Sequence, residues 1–268
     1  MGKVIGLISI KGGVGKTTIS CSLASCLVNE FNKRVLLVDG NFSAPNVGLH
    51  MNVIESEKTI HDVLAGKSSL FEATHNRFGV DVVPGSYFYN LKLNPLLLKE
   101  KLSHVKDKYD FIILDSSPSL NDEALASIIS SDLLFVIATP DYPTLSCSIK
   151  AIHIAKKRGN KINGIILNKV RSPKFEISLE EIEEVLNVPI VAKIKDDKNA
   201  LKALFFNMPV PLLRRNSKIS KEIRNLATIL CGKEEKTSFL RNFFLFNLRK
   251  EEVNRQILKE ELYKRTFD

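Results

Sequence analysis

The chain is poor in the features that would carry it out of a cell or through a membrane. Its 268 residues include four cysteines, Cys21, Cys26, Cys147 and Cys231. None has CxxC spacing or a histidine partner at metal-ligand spacing. This argues against a disulfide scaffold or a cluster site and for small buried hydrophobes in a reducing compartment. No run reaches the roughly 20 consecutive apolar residues that a membrane-spanning helix needs. Met1-Gly2-Lys3 passes at once into an apolar run, so no cleaved signal peptide is expected. Met1-Gly2 invites N-myristoylation, but Gly6 stands where Ser or Thr is required, which excludes it. Hydrophobic content of 44% and charged content of 26% are ordinary globular values. A cytoplasmic protein with one large domain is therefore expected.

What is present is concentrated near the start. Lys11-Gly12-Gly13-Val14-Gly15-Lys16-Thr17-Thr18 follows an apolar run of strand length over 4–10 and precedes a helical run over 19–28. Strand, glycine loop and helix form the setting of a phosphate-binding loop. The glycines let successive backbone N–H groups turn inward around an anion, and the helix N-terminus adds partial positive charge. Lys16 is expected to reach the β/γ-phosphates and the Thr17 hydroxyl to ligate Mg²⁺. The usual pattern has glycine at position 10; this chain has Ile10 there and an additional lysine at position 11.

The body alternates strands and helices. Apolar strand runs occur at 35–39, 80–85, 111–115, 133–138, 162–168 and 188–194, with helical patterns at 122–130, 145–157, 178–186, 197–206 and 217–230. Continuous apolar strands between helices predict an α/β fold, a mainly parallel sheet covered on both faces. Ligands of such sheets gather at the carboxyl ends of the strands. Asp39, Asp115, Asn168 and the loop at 11–18 all fall there. Asp115, closing 111–115, looks like a Walker B aspartate that holds Mg²⁺ through water.

The lysine before the double glycine resembles the deviant Walker A motif of the MinD/ParA group of P-loop ATPases, and the resemblance spans about residues 2–231. It implies ATP and Mg²⁺ as cofactors and an ATP-dependent homodimer in which Lys11 reaches the nucleotide held by the other subunit. It also places Asp39 at the start of the first switch, among the metal-site and catalytic residues. The family pattern there is Asp-x-Asp, and its second aspartate positions or activates the attacking water. This chain has Asn41 instead. An amide orients water but cannot take its proton, and general-base help is worth roughly 10²–10⁴-fold. A slow ATPase or a long-lived ATP-bound dimer is therefore expected. Residues 42–49 fit the switch segment that presents a partner surface in MinD-like proteins, here for an activator or cargo protein. The resemblance further implies that Asn168 and Lys169 lie against adenine, and that the turn holding Pro209 and Val210 closes over the ring.

Beyond residue 232 the composition changes, and residues 1–232 and 233–268 are expected to form an ATPase domain and a helical tail. On a helix, Phe239, Leu240, Phe243, Phe244 and Phe246 share a face flanked by Arg and Lys. Such a face suits a membrane interface, packing on the body or a partner helix. MinD proteins resemble this chain in carrying a membrane-targeting tail. The segment holding Val253, Ile257, Leu258 and Leu262 is more highly charged.

Net charge is +9, most of it in residues 1–232, which suits an anionic membrane surface or nonspecific nucleic-acid contact. The candidate basic places are Lys156-Lys157-Arg158 with Lys161, and Arg214-Arg215 with Lys218, Lys221 and Arg224. Three functions follow: a MinD-like ATPase at the inner face of the cell membrane that positions other components, a ParA-like DNA-associating partition ATPase, and a nucleotide-gated adaptor with little turnover. A fourth relative, the Mrp-type iron–sulfur carrier, would bring a paired-cysteine motif, whereas Cys231 stands alone.

Overall fold

The apolar strand runs become the middle of one sheet. A computed structural model describes residues 2–89, 92–171, 174–233 and 249–263. Its strands are β1 (Lys3–Ile8), β2 (Val35–Gly40), β3 (His75–Arg77), β4 (Val80–Val83), β5 (Phe111–Ser116), β6 (Leu133–Ala138), β7 (Ile162–Val170) and β8 (Ile190–Lys195). They are ordered β3-β4-β2-β5-β1-β6-β7-β8. Every pairing is parallel except β3 with β4.

Alternation along each strand feeds two apolar layers, because successive side chains leave opposite faces of a pleated strand. Ile5 and Leu7 of β1, Leu37 of β2, Ile113 of β5 and Phe135 of β6 enter one layer. Val4, Leu36, Ile112 and Leu134 enter the layers of the other face. Helices α1 (Lys16–Phe31), α2 (Val47–His50), α8 (Lys198–Phe205), α9 (Val210–Leu213) and α10 (Lys218–Leu230) cover the first face. Helices α3 (Ile60–Leu64), α4 (Leu98–Ser103), α5 (Asp122–Ser130), α6 (Tyr142–Lys157) and α7 (Leu179–Leu186) cover the second.

Helix α11 (Lys250–Tyr263) packs on the body rather than away from it. Leu258 is 2% exposed and joins the first core layer. Arg255, 1% exposed, donates from Nη1 to Val191 O at 2.9 Å and to Glu222 Oε1 at 2.8 Å. The Asn254 amide donates to Ile190 O at 2.8 Å. β8 ends the sheet, so these side chains satisfy backbone carbonyls of an edge strand. The charged pattern of this helix conceals a docking face, because its buried arginine is paired and hydrogen-bonded. The stripe Phe239, Leu240, Phe243, Phe244 and Phe246 lies outside the described residues. No helix among the described residues is long and apolar enough to cross a membrane.

Candidate nucleotide-binding site

The loop between β1 and α1 has the backbone shape its glycines permit. Gly13 and Gly15 adopt φ values of 78° and 92°, the left-handed region open to glycine. A Cβ on Gly12 or Gly13 would meet nothing within 4 Å, so the space over the loop is open. α1 begins at Lys16, which puts Lys16 and Thr17 in the first turn with its unsatisfied N–H groups. This arrangement fits a polyphosphate.

Asp115, at the end of β5, gathers the first turn of α1. Thr17 Oγ1 donates to Asp115 Oδ2 at 2.6 Å, and Ser20 Oγ donates to Asp115 Oδ1 at 2.9 Å. Lys16 Nζ lies 3.1 Å from Asp115 Oδ1, with Lys16 7% and Asp115 1% exposed. A hydroxyl beside a strand-end carboxylate is the oxygen donor set that Mg²⁺ takes when the rest of its shell is water and phosphate. The residues therefore fit Mg²⁺, which Thr17 and Asp115 would hold. Sequence reasoning missed Ser20, although its place three residues after Thr17 puts the two on one helix face.

Asp39 is the register partner of Asp115 on the neighbouring strand. It is fully buried, and its carboxylate accepts from the backbone N–H groups of Asn41 (3.1 Å), Asn46 (2.9 Å) and Val47 (2.9 Å). Burial, and then the negative charge of Asp115, push its pKa up to about 7 against the pull of those N–H groups. Asp39 thus shapes the segment after β2. The Asn41 amide donates to Ala44 O, and Asn41 lines the cleft over the P-loop.

Lys11 turns toward β6 and α6. Its Nζ lies 3.0 Å from Asp141 Oδ1, with Lys11 38% and Asp141 40% exposed. Asp141 caps α6 by accepting from Thr144 N at 2.9 Å. Partial burial of Asp141 is outweighed by hydrogen bonds from Thr139, Thr144 and Lys11, which hold its pKa at about 2. The sequence signal for Asp141 was Asp-x-x-Thr directly behind an apolar strand, the pattern of a helix cap.

Two clefts flank the loop. One, of about 510 Å³, lies between Lys11, Gly12, Asp141, Arg171 and Phe175. The other, of about 320 Å³, runs past Thr17, Thr18, Asn41 and His50 to Leu201 and Leu204 of α8. Burial holds the His50 pKa down, and sequence reasoning missed this residue. Asn168 Nδ2 donates to Val14 O at 2.7 Å, and Lys169 Nζ donates to Gly13 O at 2.7 Å. Lys169 does so from φ 57°, a costly backbone for a non-glycine residue and one concentrated at functional sites. Both residues brace the P-loop. Pro209 and Val210 line neither cleft, and Val210 is fully buried in the first core layer as the first residue of α9. Leu201 and Leu204 of α8 give the smaller cleft an apolar side.

Open glycine turn, buried lysine and strand-end aspartate define a P-loop nucleotide-binding protein of the α/β class. A family model described as an AAA domain matches residues 2–166. An uncharacterised ATP-binding protein of Methanocaldococcus jannaschii is 32% identical over 91% of this chain and 96% of its own. The septum site-determining protein MinD of Thermotoga maritima is 29% identical over 87% of this chain and 89% of its own. The structure of MinD from Pyrococcus horikoshii, complexed with Mg-ADP, superposes with a TM-score of 0.80 at 31% identity, covering 85% of this chain and 95% of that one. The chain belongs to the MinD/ParA family of P-loop ATPases.

Proposed function

We propose that this protein is a MinD-like ATPase that binds ATP with Mg²⁺, pairs with a second copy in that state, and associates with the inner face of the cell membrane to position other components. One observation carries the reading. Lys11 sits on the rim of both clefts, half-exposed and held to Asp141 by a pair that water screens. It can exchange that partner for phosphate oxygens presented by a second copy. Lys16 would hold the β/γ-phosphates, Thr17 and Asp115 the Mg²⁺, and Gly12 to Gly15 the remaining phosphate oxygens through their N–H groups.

Turnover is slow in this reading. Asn41 orients water without accepting its proton, and Asp39 is spent on three backbone N–H groups. The segment from Asn41 to Val47 offers the surface for an activator or cargo protein. Membrane contact falls to Phe239, Leu240, Phe243, Phe244 and Phe246. Two such stripes in one dimer would bind together with the gain of linked contacts. The DNA-associating alternative draws on the basic surface, but part of that surface is already paired. Arg224 makes two bonds to Glu30, at 2.5 and 2.8 Å, and Lys161 lies 2.7 Å from Glu261.

The test is co-sedimentation with anionic liposomes in ATP and in ADP. Leu258 belongs to the core, so the tail is altered by Phe239→Glu with Phe243→Glu rather than by truncation. Pelleting in ATP, absent in ADP and lost in the double variant, is expected. No pelleting of the full chain in ATP, with salt-sensitive DNA retention in its place, would replace this reading with the DNA-associating one.

A further inference from the structure

We propose that His61 is a positioning residue that couples the nucleotide-sensing segment 41–45 to the aromatic loop 86–89, so that the state of the P-loop site is transmitted to Tyr87 and Phe88. The inference rests on the functional reading above, in which the site alternates between nucleotide states.

His61 is a buried side chain with two partners on two different loops. Its Nδ1 accepts from the Ser86 N–H at 3.0 Å, which fixes the tautomer and leaves Nε2–H to donate to Phe42 O at 2.9 Å. The ring is 3% exposed. Phe42 meets it edge-on with centroids 6.1 Å apart, and Tyr89 lies against it at 4.8 Å. One imidazole therefore bridges the segment after β2 and the loop after β4, with an aromatic contact on each side.

The bridge stands on a fixed base. Thr59 and Asp62 form a reciprocal cap at the start of α3. Ile60 N donates to Pro84 O at 2.9 Å, tying the same turn to the end of β4. Segment 41–45 is tied at its other end to the nucleotide site. Asn41 N–H reaches Asp39, Asn46 and Val47 close the turn on the same carboxylate, and Asp39 pairs in register with Asp115. The two loops also touch directly, since a Cβ on Gly85 would come within 2.4 Å of Pro45 and 3.3 Å of His61 Cε1. Packed elements of this kind shift between discrete arrangements rather than deform smoothly. A displacement of Phe42 to Pro45 alters the acceptor of Nε2–H, and the ring carries Ser86 with it. At the far end Phe88 is 91% exposed, so the signal arrives at the surface.

The chain contains no tryptophan, so Phe88→Trp supplies a single emission reporter in the full-length protein. Emission is read with ADP–Mg²⁺ and with a slowly hydrolysed ATP analogue, alongside the affinity of a fluorescent nucleotide. The expected result is a difference in the reporter's indole emission between the two nucleotides that is lost in His61→Leu. His61→Gln, whose amide can still donate to Phe42 O, should retain it in part. Nucleotide affinity in both variants should stay within about twofold of the parent, since His61 touches no phosphate-binding group. Normal nucleotide binding with identical emission in both states would overturn the coupling while leaving the ATPase reading intact. A difference that survives unchanged in His61→Leu would overturn the role of His61. No nucleotide binding at all would overturn the functional reading, and the coupling with it.

Discussion

Asp39 and Asp115 stand side by side at the carboxyl ends of β2 and β5, in register and both buried. Only Asp115 has a cation beside it, Lys16 at 3.1 Å, and it also receives the Thr17 and Ser20 hydroxyls. Asp39 receives backbone N–H groups instead and is pushed up to about 7 by burial and by its neighbour. Two like carboxylates thus have different partners, one gathering the side chains of the first turn of α1 and the other shaping the segment after β2.

Replacing Asp115 by Asn tests that division. In the proposed reading Asp115 would hold Mg²⁺, and the loss of a metal contact worth several kcal/mol should then lower turnover on the order of 10²–10³-fold. The same change removes the negative charge that helps to raise Asp39. Carbon-detected NMR titration should therefore show the Asp39 carboxyl moving down from about 7. An unchanged Asp39 titration would contradict the electrostatic link.

Asn41→Asp restores a proton acceptor in the cleft over the P-loop. Turnover measured by phosphate release should rise by roughly 10-fold or more, within the 10²–10⁴-fold ceiling of general-base assistance. No increase would mean that positioning rather than proton transfer limits the reaction.

Leu258→Ala removes a side chain that α11 inserts into the first core layer. The expected cost is about 2–5 kcal/mol, and a melting curve should shift down by about 2–4 °C per kcal/mol for a chain of this size. Stability unchanged within error would show that α11 is not an integral part of the body.

His61 makes folding sensitive to acid. Burial holds its pKa below the ordinary value, outweighing the Phe42 carbonyl and the negative charges of Asp62 and Glu123, which act the other way. The folded protein keeps the ring neutral, so the unfolded chain binds the proton first as pH falls. The stability from neutral His61 is complete above the ordinary histidine pKa of about 6.5 and declines as pH drops through it toward the folded value. Urea midpoints near pH 7.5 and 5.5 should fall more in the parent than in His61→Gln. Equal falls would remove His61 as the cause.

The sequence made the centre of this site legible because its signals are local. Glycines, Lys16 and Thr17 sit within one strand–loop–helix unit, and Asp39 and Asp115 each end a continuous apolar strand. What stayed hidden depends on contacts between distant segments. The Lys11–Asp141 pair, 130 residues apart in sequence, joins the loops after the neighbouring strands β1 and β6, and His61 joins loops that nothing in a linear pattern relates. β3 is three residues long and wholly polar, so it has no apolar alternation to reveal. Val210 belongs to the first core layer, while Leu201 and Leu204 of α8 reach the smaller cleft, a placement that no linear pattern reveals. The highly charged segment 250–263 showed no docking face in sequence, because a buried arginine looks like an exposed one until Glu222 and Val191 O are seen beside it.

The most direct test of the account is the rate of phosphate release from ATP–Mg²⁺ per protomer, followed over a range of protein concentrations for the full chain and for Lys11→Ala. The account predicts a specific rate that rises with concentration in the parent, as dimers form, and a low rate independent of concentration in the variant. A parent rate that does not depend on concentration and is indifferent to Lys11→Ala would contradict it.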